Sequence, residues 1–207
     1  MIAAISLMRQ RDDVTLAQFR RHWLDVHGPM VCAFPRLRHY VQLHVIASPA
    51  MNLLARDMRI EGFPILWFAN DGDRLQAHES PEMAACNIDS RSFIGAVSRV
   101  ICEPLVVQAA TATARMKLIV LLPGPTADDA ALKQCGRWAE KLPRLGGLTL
   151  YSVLKQGAAP NSVIPHLPVH AAGIAELAFT SLVDLECAVA HAPADAAHFV
   201  VEEHRFL

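Results

Sequence analysis

The feature that most constrains the fold of this 207-residue chain is an order of motifs that occurs twice. The triplet Pro-Arg-Leu stands at 35–37 and again at 143–145. Further positions share a residue type in the same order: Gly62 and Gly173, Leu66 and Leu177, Phe68 and Phe179, Pro81 and Pro193, Phe93 and Phe199. Matches that keep their order along a whole chain indicate an internal repeat.

The hydrophobic pattern predicts similar elements in both halves. In the first half we expect strands over 2–8, 40–46, 63–68 and 100–107, and helices over 15–27, 73–78 and 81–90. In the second half we expect strands over 116–122, 148–154, 174–179 and 200–206, and helices over 128–142 and 183–190. This order predicts an α+β fold of two tandem ferredoxin-like βαββαβ domains, residues 1–108 and 116–207, with a linker near 108–115. Two unrelated α+β halves are the alternative.

The two copies differ in one segment. Trp23 lies well before the first Pro-Arg-Leu triplet, whereas Trp138 lies close to the second. The missing residues correspond to the segment Val-His-Gly-Pro at 26–29. If that segment carries chemistry, only the first half can perform it.

The first half resembles the EthD-like family in three stretches. They contain Thr15, Phe19-Arg20-Arg21-His22-Trp23 and His27-Gly28-Pro29; the run Pro-Arg-Leu-Arg-His-Tyr-Val-Gln at 35–42; and Phe68, Asp71, Ser80-Pro81-Glu82, Asp89 and Phe93. This family belongs to the dimeric α/β-barrel superfamily. The resemblance implies two antiparallel sheets paired face to face, with a cavity between sheet and helices. In this chain the pairing would be internal, as an intrachain pseudo-dimeric barrel.

The resemblance also implies a range of activities. Relatives include cofactor-free monooxygenases, muconolactone-type isomerases, dehydratases and cyclases, and more distant members of the superfamily bind haem. Three functions stay open: a cofactor-independent acid/base enzyme, a non-catalytic protein that binds a metabolite, and a haem-dependent enzyme. The first is the one we predict, with no cofactor.

Two histidines border the apolar stripe of the first helix. At about 100° per residue, Phe19, Trp23 and Val26 share one helix face, and His22 and His27 lie on either side of it. The helix is expected to end near His27 because a residue before proline avoids helical geometry, and free carbonyls would then favour a protonated imidazole. We predict that His27 is catalytic, with His22 as a second candidate. The alternative is that both histidines simply cover the core.

The second strand alternates polar and apolar residues. Tyr40, Gln42 and His44 share one face because side chains alternate along a strand, and the residues between them are apolar. We expect the polar face to line the inter-sheet cavity and the apolar face to meet the helices. His44 is therefore a third catalytic candidate, and Tyr40 and Gln42 are predicted to bind substrate. A solvated sheet face is the alternative.

Three further residues complete the predicted substrate-binding set, namely Trp23, Trp67 and Glu176. Glu176 interrupts a strand that is otherwise apolar. A buried carboxyl needs a partner or a raised pKa, so we expect Glu176 to contact a first-half residue or a polar atom of the ligand. A salt bridge or an outward edge position is the alternative.

Composition restricts the partners. The chain is 53% hydrophobic and 19% charged, with a net charge of −1, which excludes disorder and a strongly basic surface for nucleic acid or an anionic membrane. Its five cysteines form no CxxC pair, which predicts free thiols and a cytoplasmic location. Metal-binding motifs are absent from the sequence, and no metal is predicted. We expect a small hydrophobic cyclic, phenolic or lactone-like ligand, and a homodimer of the two-domain chain is left open.

Overall fold

In the computed structural model, which describes residues 1–114, 116–157 and 163–207, eight strands close into one antiparallel barrel. The strands are β1 Ile2–Gln10, β2 His39–Val45, β3 Gly62–Phe68, β4 Ile94–Gln108, β5 Met116–Pro123, β6 Gly147–Gly157, β7 Ala171–Phe179 and β8 Ala197–Arg205. The predicted α+β class is confirmed. Of the predicted linker at 108–115, Gln108 belongs to β4 and Arg115 lies outside the described residues.

Helices pack against the barrel, most of them on its outer face. They are α1 Leu16–His22, α2 Gly28–Cys32, α3 Leu53–Met58, α4 Asp71–His78, α5 Pro81–Ser90, α6 Asp129–Ala139 and α7 Leu182–Val189, and a π-helical turn, Trp23–His27, joins α1 to α2. Thr15 caps α1 in a reciprocal capping box with Gln18. Helix α3 lies where the sequence predicted only a loop. In the described part of the chain, no helix combines the length and apolar character needed to cross a bilayer.

The order of strands around the barrel explains how it closes. The first four strands lie in the order β4-β1-β3-β2, and the last four lie in the corresponding order β8-β5-β7-β6. Pairing of β2 with β8 and of β4 with β6 joins the two groups edge to edge. The sheets therefore form one continuous wall, and closure leaves no unpaired strand edge.

Strand β4 begins earlier than predicted because small residues interrupt its apolar pattern. A side chain at Gly95 would place its Cβ only 2.6 Å from the carbonyl oxygen of Gln10, where the register between β1 and β4 shifts. Glycine allows this close approach of two backbones. The apolar pattern therefore did not reveal the first part of β4, which pairs with β1. The second part of β4 pairs with β6.

The interior of the barrel is a packed core that is apolar apart from one group of buried ion pairs. Alternate residues of all the strands point inward, and Leu7, Leu43, Ile119 and Phe199 are among those with no more than 1% exposure. Phe63 of the first half meets Phe199 of the second edge to face, with ring centroids 5.1 Å apart. The interior therefore holds the two halves together, and the site has to be sought between the barrel and its helices.

Candidate functional site

A cavity of about 300 Å³ lies between the outer face of the first-half strands and the helices that cover it. Its walls are mainly apolar, and Phe34, Leu66, Phe68 and Met83 contribute to them. Three residues of the predicted site, Trp23, His27 and Tyr40, also line it. A largely apolar cavity with a few polar groups is typical of a small-molecule site, and this volume lies at the lower end of the usual range.

One carboxylate joins the two histidines of the first helix. Asp89 of α5 accepts hydrogen bonds from both: Oδ1 lies 2.9 Å from His22 Nε2 and Oδ2 lies 2.8 Å from His27 Nδ1. Phe93 packs against both imidazole rings. Asp89 thus fixes the orientation of His27 and uses its Nδ1, which leaves Nε2 as the nitrogen available to a ligand.

The local backbone carries His27 into the cavity wall. The expected helix end near His27 is wrong, because the chain continues through a π-helical turn into α2. Gly28 has no Cβ to clash with the ring of Pro29, so the helical path can continue through this proline. A side chain at Gly28 would collide with Phe206 and lie 2.8 Å from Gln42 Nε2.

The protonation of His27 also differs from the expectation. With no helix end there, no cluster of free carbonyls favours the imidazolium. Burial lowers the pKa of His27 below its usual value, although the hydrogen bond and charge of Asp89 act in the opposite direction. His27 is therefore neutral near pH 7 and suited to accept a proton. The protonated imidazole expected from the sequence is therefore wrong, and the neutral ring is suited to act as a general base.

The predicted direction of the second strand is wrong. Val41 and Leu43 point into the barrel, and Tyr40, Gln42 and His44 point toward the helices. Alternation groups residues by face but does not say which face is inside, and here the barrel interior takes the apolar set.

Gln42 and His44 support the cavity wall from behind. Gln42 Nε2 donates to the carbonyl oxygen of Trp23 and to Tyr40 Oη, both at 2.8 Å, which anchors the π-helical turn. His44 stacks on the indole of Trp23 at 4.3 Å and bonds Gln42 through Nε2. Burial, with His204 and Arg20 nearby, lowers the pKa of His44 to about 3. The proposed catalytic role of His44 has no support, because its neutral ring lies outside the cavity lining.

The remaining two predicted residues lie inside the barrel, away from the cavity. Trp67 packs against the barrel core. Glu176 accepts hydrogen bonds from Lys117 Nζ and, at 2.9 Å, from Tyr151 Oη. The expectation that Glu176 contacts a first-half residue is wrong, since both of its hydrogen-bond partners belong to the second half. The salt bridge left open as the alternative is what the structure contains.

The cavity wall also contains hydrogen-bond donors. Tyr40 is protonated, since burial raises its pKa, and its oxygen accepts from Gln42, so its O–H is left to donate. Trp23 Nε1 is buried beside the Tyr40 hydroxyl, and among the described residues it has no acceptor in good hydrogen-bond geometry. Cys86 also lines the cavity, but burial raises the pKa of its thiol to about 12, which excludes a thiolate nucleophile at neutral pH.

Two groups escaped the sequence reasoning. Asp89 lies in one of the stretches that resemble the EthD-like family but was assigned no role, because its place between two histidines depends on contacts across 62 and 67 residues of chain. Arg99 lines the cavity from β4. The available signal was its place between Val97 and Ile101, where a charged residue shares a face with apolar ones.

The geometry of the site does not suit a metal ion or a haem. Among the described residues, no three histidine, cysteine, aspartate or glutamate side chains are arranged to hold a metal ion. His27 has the carboxylate partner that an axial ligand often has. A cavity of about 300 Å³, however, lies at the bottom of the range for small-molecule sites, and a haem is among the largest ligands of that class. The haem alternative does not fit.

Comparison with known proteins agrees with the sequence resemblance. A family model described as the EthD domain matches residues 11–96, and the predicted resemblance of the first half is confirmed. No curated protein matches the chain.

Solved structures share the fold. An anthrone oxidase-like protein is 10% identical, with a TM-score of 0.65, covering 99% of this chain and 92% of that one. A proposed monooxygenase from Lactobacillus acidophilus is 9% identical, with a TM-score of 0.54, covering 98% of this chain and 93% of that one. At such identity the likeness concerns the fold alone, over both halves.

Proposed function

The first half of the chain carries an EthD domain, and on that premise we propose that its cavity binds a small hydrophobic cyclic, phenolic or lactone-like compound, from which His27 removes a proton without a cofactor. The observation that carries the proposal is the neutral imidazole of His27 in the wall of an apolar cavity, with Nδ1 held 2.8 Å from Asp89. Proton removal begins isomerisation, dehydration, cyclisation and cofactor-independent oxygenation of such compounds alike.

Each polar group has a part in this step. His27 Nε2 takes the proton from an acidic C–H or O–H of the ligand, and Asp89 stabilises the imidazolium that forms. His22, on the other oxygen of Asp89, is a positioning residue. The negative charge left on the ligand oxygen is met by the O–H of Tyr40, which burial keeps protonated. A base placed in this way contributes about 10²–10⁴-fold to such a step.

The origin of the barrel is part of the proposal. The corresponding strand orders β4-β1-β3-β2 and β8-β5-β7-β6 support the interpretation that residues 1–108 and 116–207 are tandem ferredoxin-like units. The free state of all five cysteines supports a reducing compartment such as the cytoplasm.

Deuterium exchange tests the proposed step directly. One structural neighbour is described as an anthrone oxidase-like protein, and anthrone is a small tricyclic ketone with an acidic methylene group. We propose to follow anthrone in D₂O by NMR without oxygen, so that loss of the methylene signal reports proton removal alone. Wild-type protein should accelerate the exchange and His27→Gln should not. Binding without acceleration would support the non-catalytic alternative and overturn this function.

A second variant tests the role of the carboxylate. Asp89→Asn removes the charge that raises the pKa of His27, so the acidic limb of the pH–rate profile should move to lower pH. The exchange rate on the plateau should fall as well, because the imidazolium is less stabilised. An unchanged pH profile would contradict the proposed His27–Asp89 pair.

A further inference from the structure

The cavity contains a cation without a counter-ion. Arg99 lies on β4 opposite Ser6 of β1 and Gly157 of β6, on the strand face that lines the cavity. Within the described residues, no carboxylate or hydrogen-bond acceptor pairs with its guanidinium. Burial and the charge of Arg74 both lower the pKa of Arg99, so the group lies in a poorly hydrated place beside a like charge.

The surroundings add positive charge. Arg74 and Lys155 also line the cavity, and both bind Asp71, at 2.6 and 2.9 Å. The one carboxylate therefore serves two cations and leaves Arg99 unmatched. No aspartate or glutamate appears among the described residues of the lining. The Lys155 side chain is 66% exposed at the cavity edge, so the positive charge within the wall is that of Arg99 and of Arg74, whose side chain is 18% exposed.

Arg99 is half-buried in the cavity wall, and a cation that is partly withdrawn from water without a counter-ion is costly unless a ligand supplies one. Guanidinium binds a carboxylate through two parallel charge-assisted hydrogen bonds, and the planar fork of arginine matches that group. We propose that the ligand is a hydrophobic carboxylic acid, whose carboxylate binds Arg99, with Arg74 in support, and whose apolar rings lie along Leu66 and Phe68. This inference rests on the proposed function, because it names the class of compound that the same cavity takes.

Paired probes test the inference. We propose to measure binding of 2-naphthoate and of 2-naphthamide, which has the same shape but no charge, by calorimetry. Wild-type protein should bind the carboxylate at least about tenfold more tightly, as expected for a hydrogen-bonded charge pair. Equal binding of the two probes would overturn the inference whatever the variants do.

Variants locate the charge that is responsible. Arg99→Gln should weaken naphthoate binding by roughly tenfold to a hundredfold and leave naphthamide binding unchanged. Arg99→Lys keeps the charge but loses the planar guanidinium group. Its affinity for naphthoate should therefore lie between that of wild type and that of Arg99→Gln. Arg137→Gln, which removes an exposed arginine of α6, is the matched control and should bind like wild type. Equal weakening of both probes by Arg99→Gln would indicate a damaged cavity and overturn the inference.

The outcome separates this inference from the proposed function. His27→Gln should keep the preference for naphthoate, because Arg99 and not His27 reads the charge. A preference for naphthoate with no His27-dependent exchange of anthrone would retain the anion site and remove the proton-transfer function. His27-dependent exchange with no preference for naphthoate would retain the proton-transfer function and remove the anion site.

Discussion

The two halves of the barrel both cover their outer sheet faces with helices but use the space beneath differently. In the second half that space is full: Leu132 of α6 and Leu185 of α7 pack on Leu177 and Phe179 of β7 in one apolar cluster. Helix α6 approaches so closely that a side chain at Gly136 would place its Cβ 2.9 Å from Leu150. In the first half the corresponding space holds the cavity.

The segment at 26–29 accounts for much of this difference. In the first half it extends the helix through the π-helical turn and places His27 over the sheet. The second half has no such segment, and α6 lies flat on its strands. One insertion thus separates a half that can hold a ligand from a half that is packed for stability.

Buried charge follows the same division. In the second half Lys117 lies inside the barrel between Glu176 and Glu203, and each carboxylate has a further partner, Tyr151 or Arg205. Each charged group of that network therefore has its partners within the second half. In the first half the His22–Asp89–His27 group has one face on the cavity, so its charge can act on a ligand.

The largest effect should come from the histidines of the two halves. His27→Gln is expected to reduce anthrone exchange by about 10²–10⁴-fold, as the loss of a positioned base does. His198→Gln removes a buried second-half histidine, whose Nε2 lies 2.9 Å from the Pro193 carbonyl oxygen, and should leave exchange nearly unchanged. Thermal melts of both variants separate unfolding from lost chemistry. An essential His198 beside a dispensable His27 would reverse the assignment of the working half.

The ion network of the second half should affect stability and not binding. Lys117→Met leaves two buried carboxylates without their cation and should lower the free energy of unfolding by about 3–5 kcal/mol, measured with urea. Naphthoate binding by the protein that stays folded should not change. Replacing Lys117, Glu176 and Glu203 together by Met, Leu and Leu should recover most of the loss, because no unpaired charge remains. Lost binding in the folded variant would mean that the network serves the cavity.

Two leucines at matching repeat positions test the packing directly. Leu177→Ala should cost about 2–5 kcal/mol, since this fully buried side chain lies in a filled cluster. Leu66→Ala should cost less, about 1–2 kcal/mol, because Leu66 borders space that is already open. Urea titrations of both variants give the comparison. Equal costs would mean that the first-half cavity is closed in solution.

Acid should lower the free energy of unfolding through His44, which supports the cavity wall. The folded-state pKa of His44 is about 3, well below the usual value of 6.5, so the unfolded chain binds a proton in this range and the folded one does not. Stability contributed by this group is therefore present above pH 6.5 and is lost as the pH falls toward 3. At pH 5 the loss is about 2 kcal/mol. His44→Phe keeps a ring on Trp23 and should flatten the pH dependence of unfolding by that amount; an unchanged dependence would show that His44 is not responsible.

The sequence predicted the order of elements well because periodic patterns are local. It failed where the answer depends on which side of a strand is inside. Tyr40, Gln42 and His44 share a face as expected, but that face meets helices and not the sheet of the other half. The same limit applies to Glu176. Lys117 is an equally isolated charge in an apolar strand, and only the pairing of β5 with β7 brings the two together.

The pairing of β2 with β8 and of β4 with β6 has a consequence for how the cavity assembles. Across the seam between β4 and β6, Lys155, Gln156 and Ile164 of the second half line the first-half cavity. A barrel made of two separate chains would lose such a wall on dilution, because subunit association depends on concentration. Here both contributors belong to one chain, so the wall forms in a first-order step. The cavity should remain complete at any protein concentration at which the chain is folded.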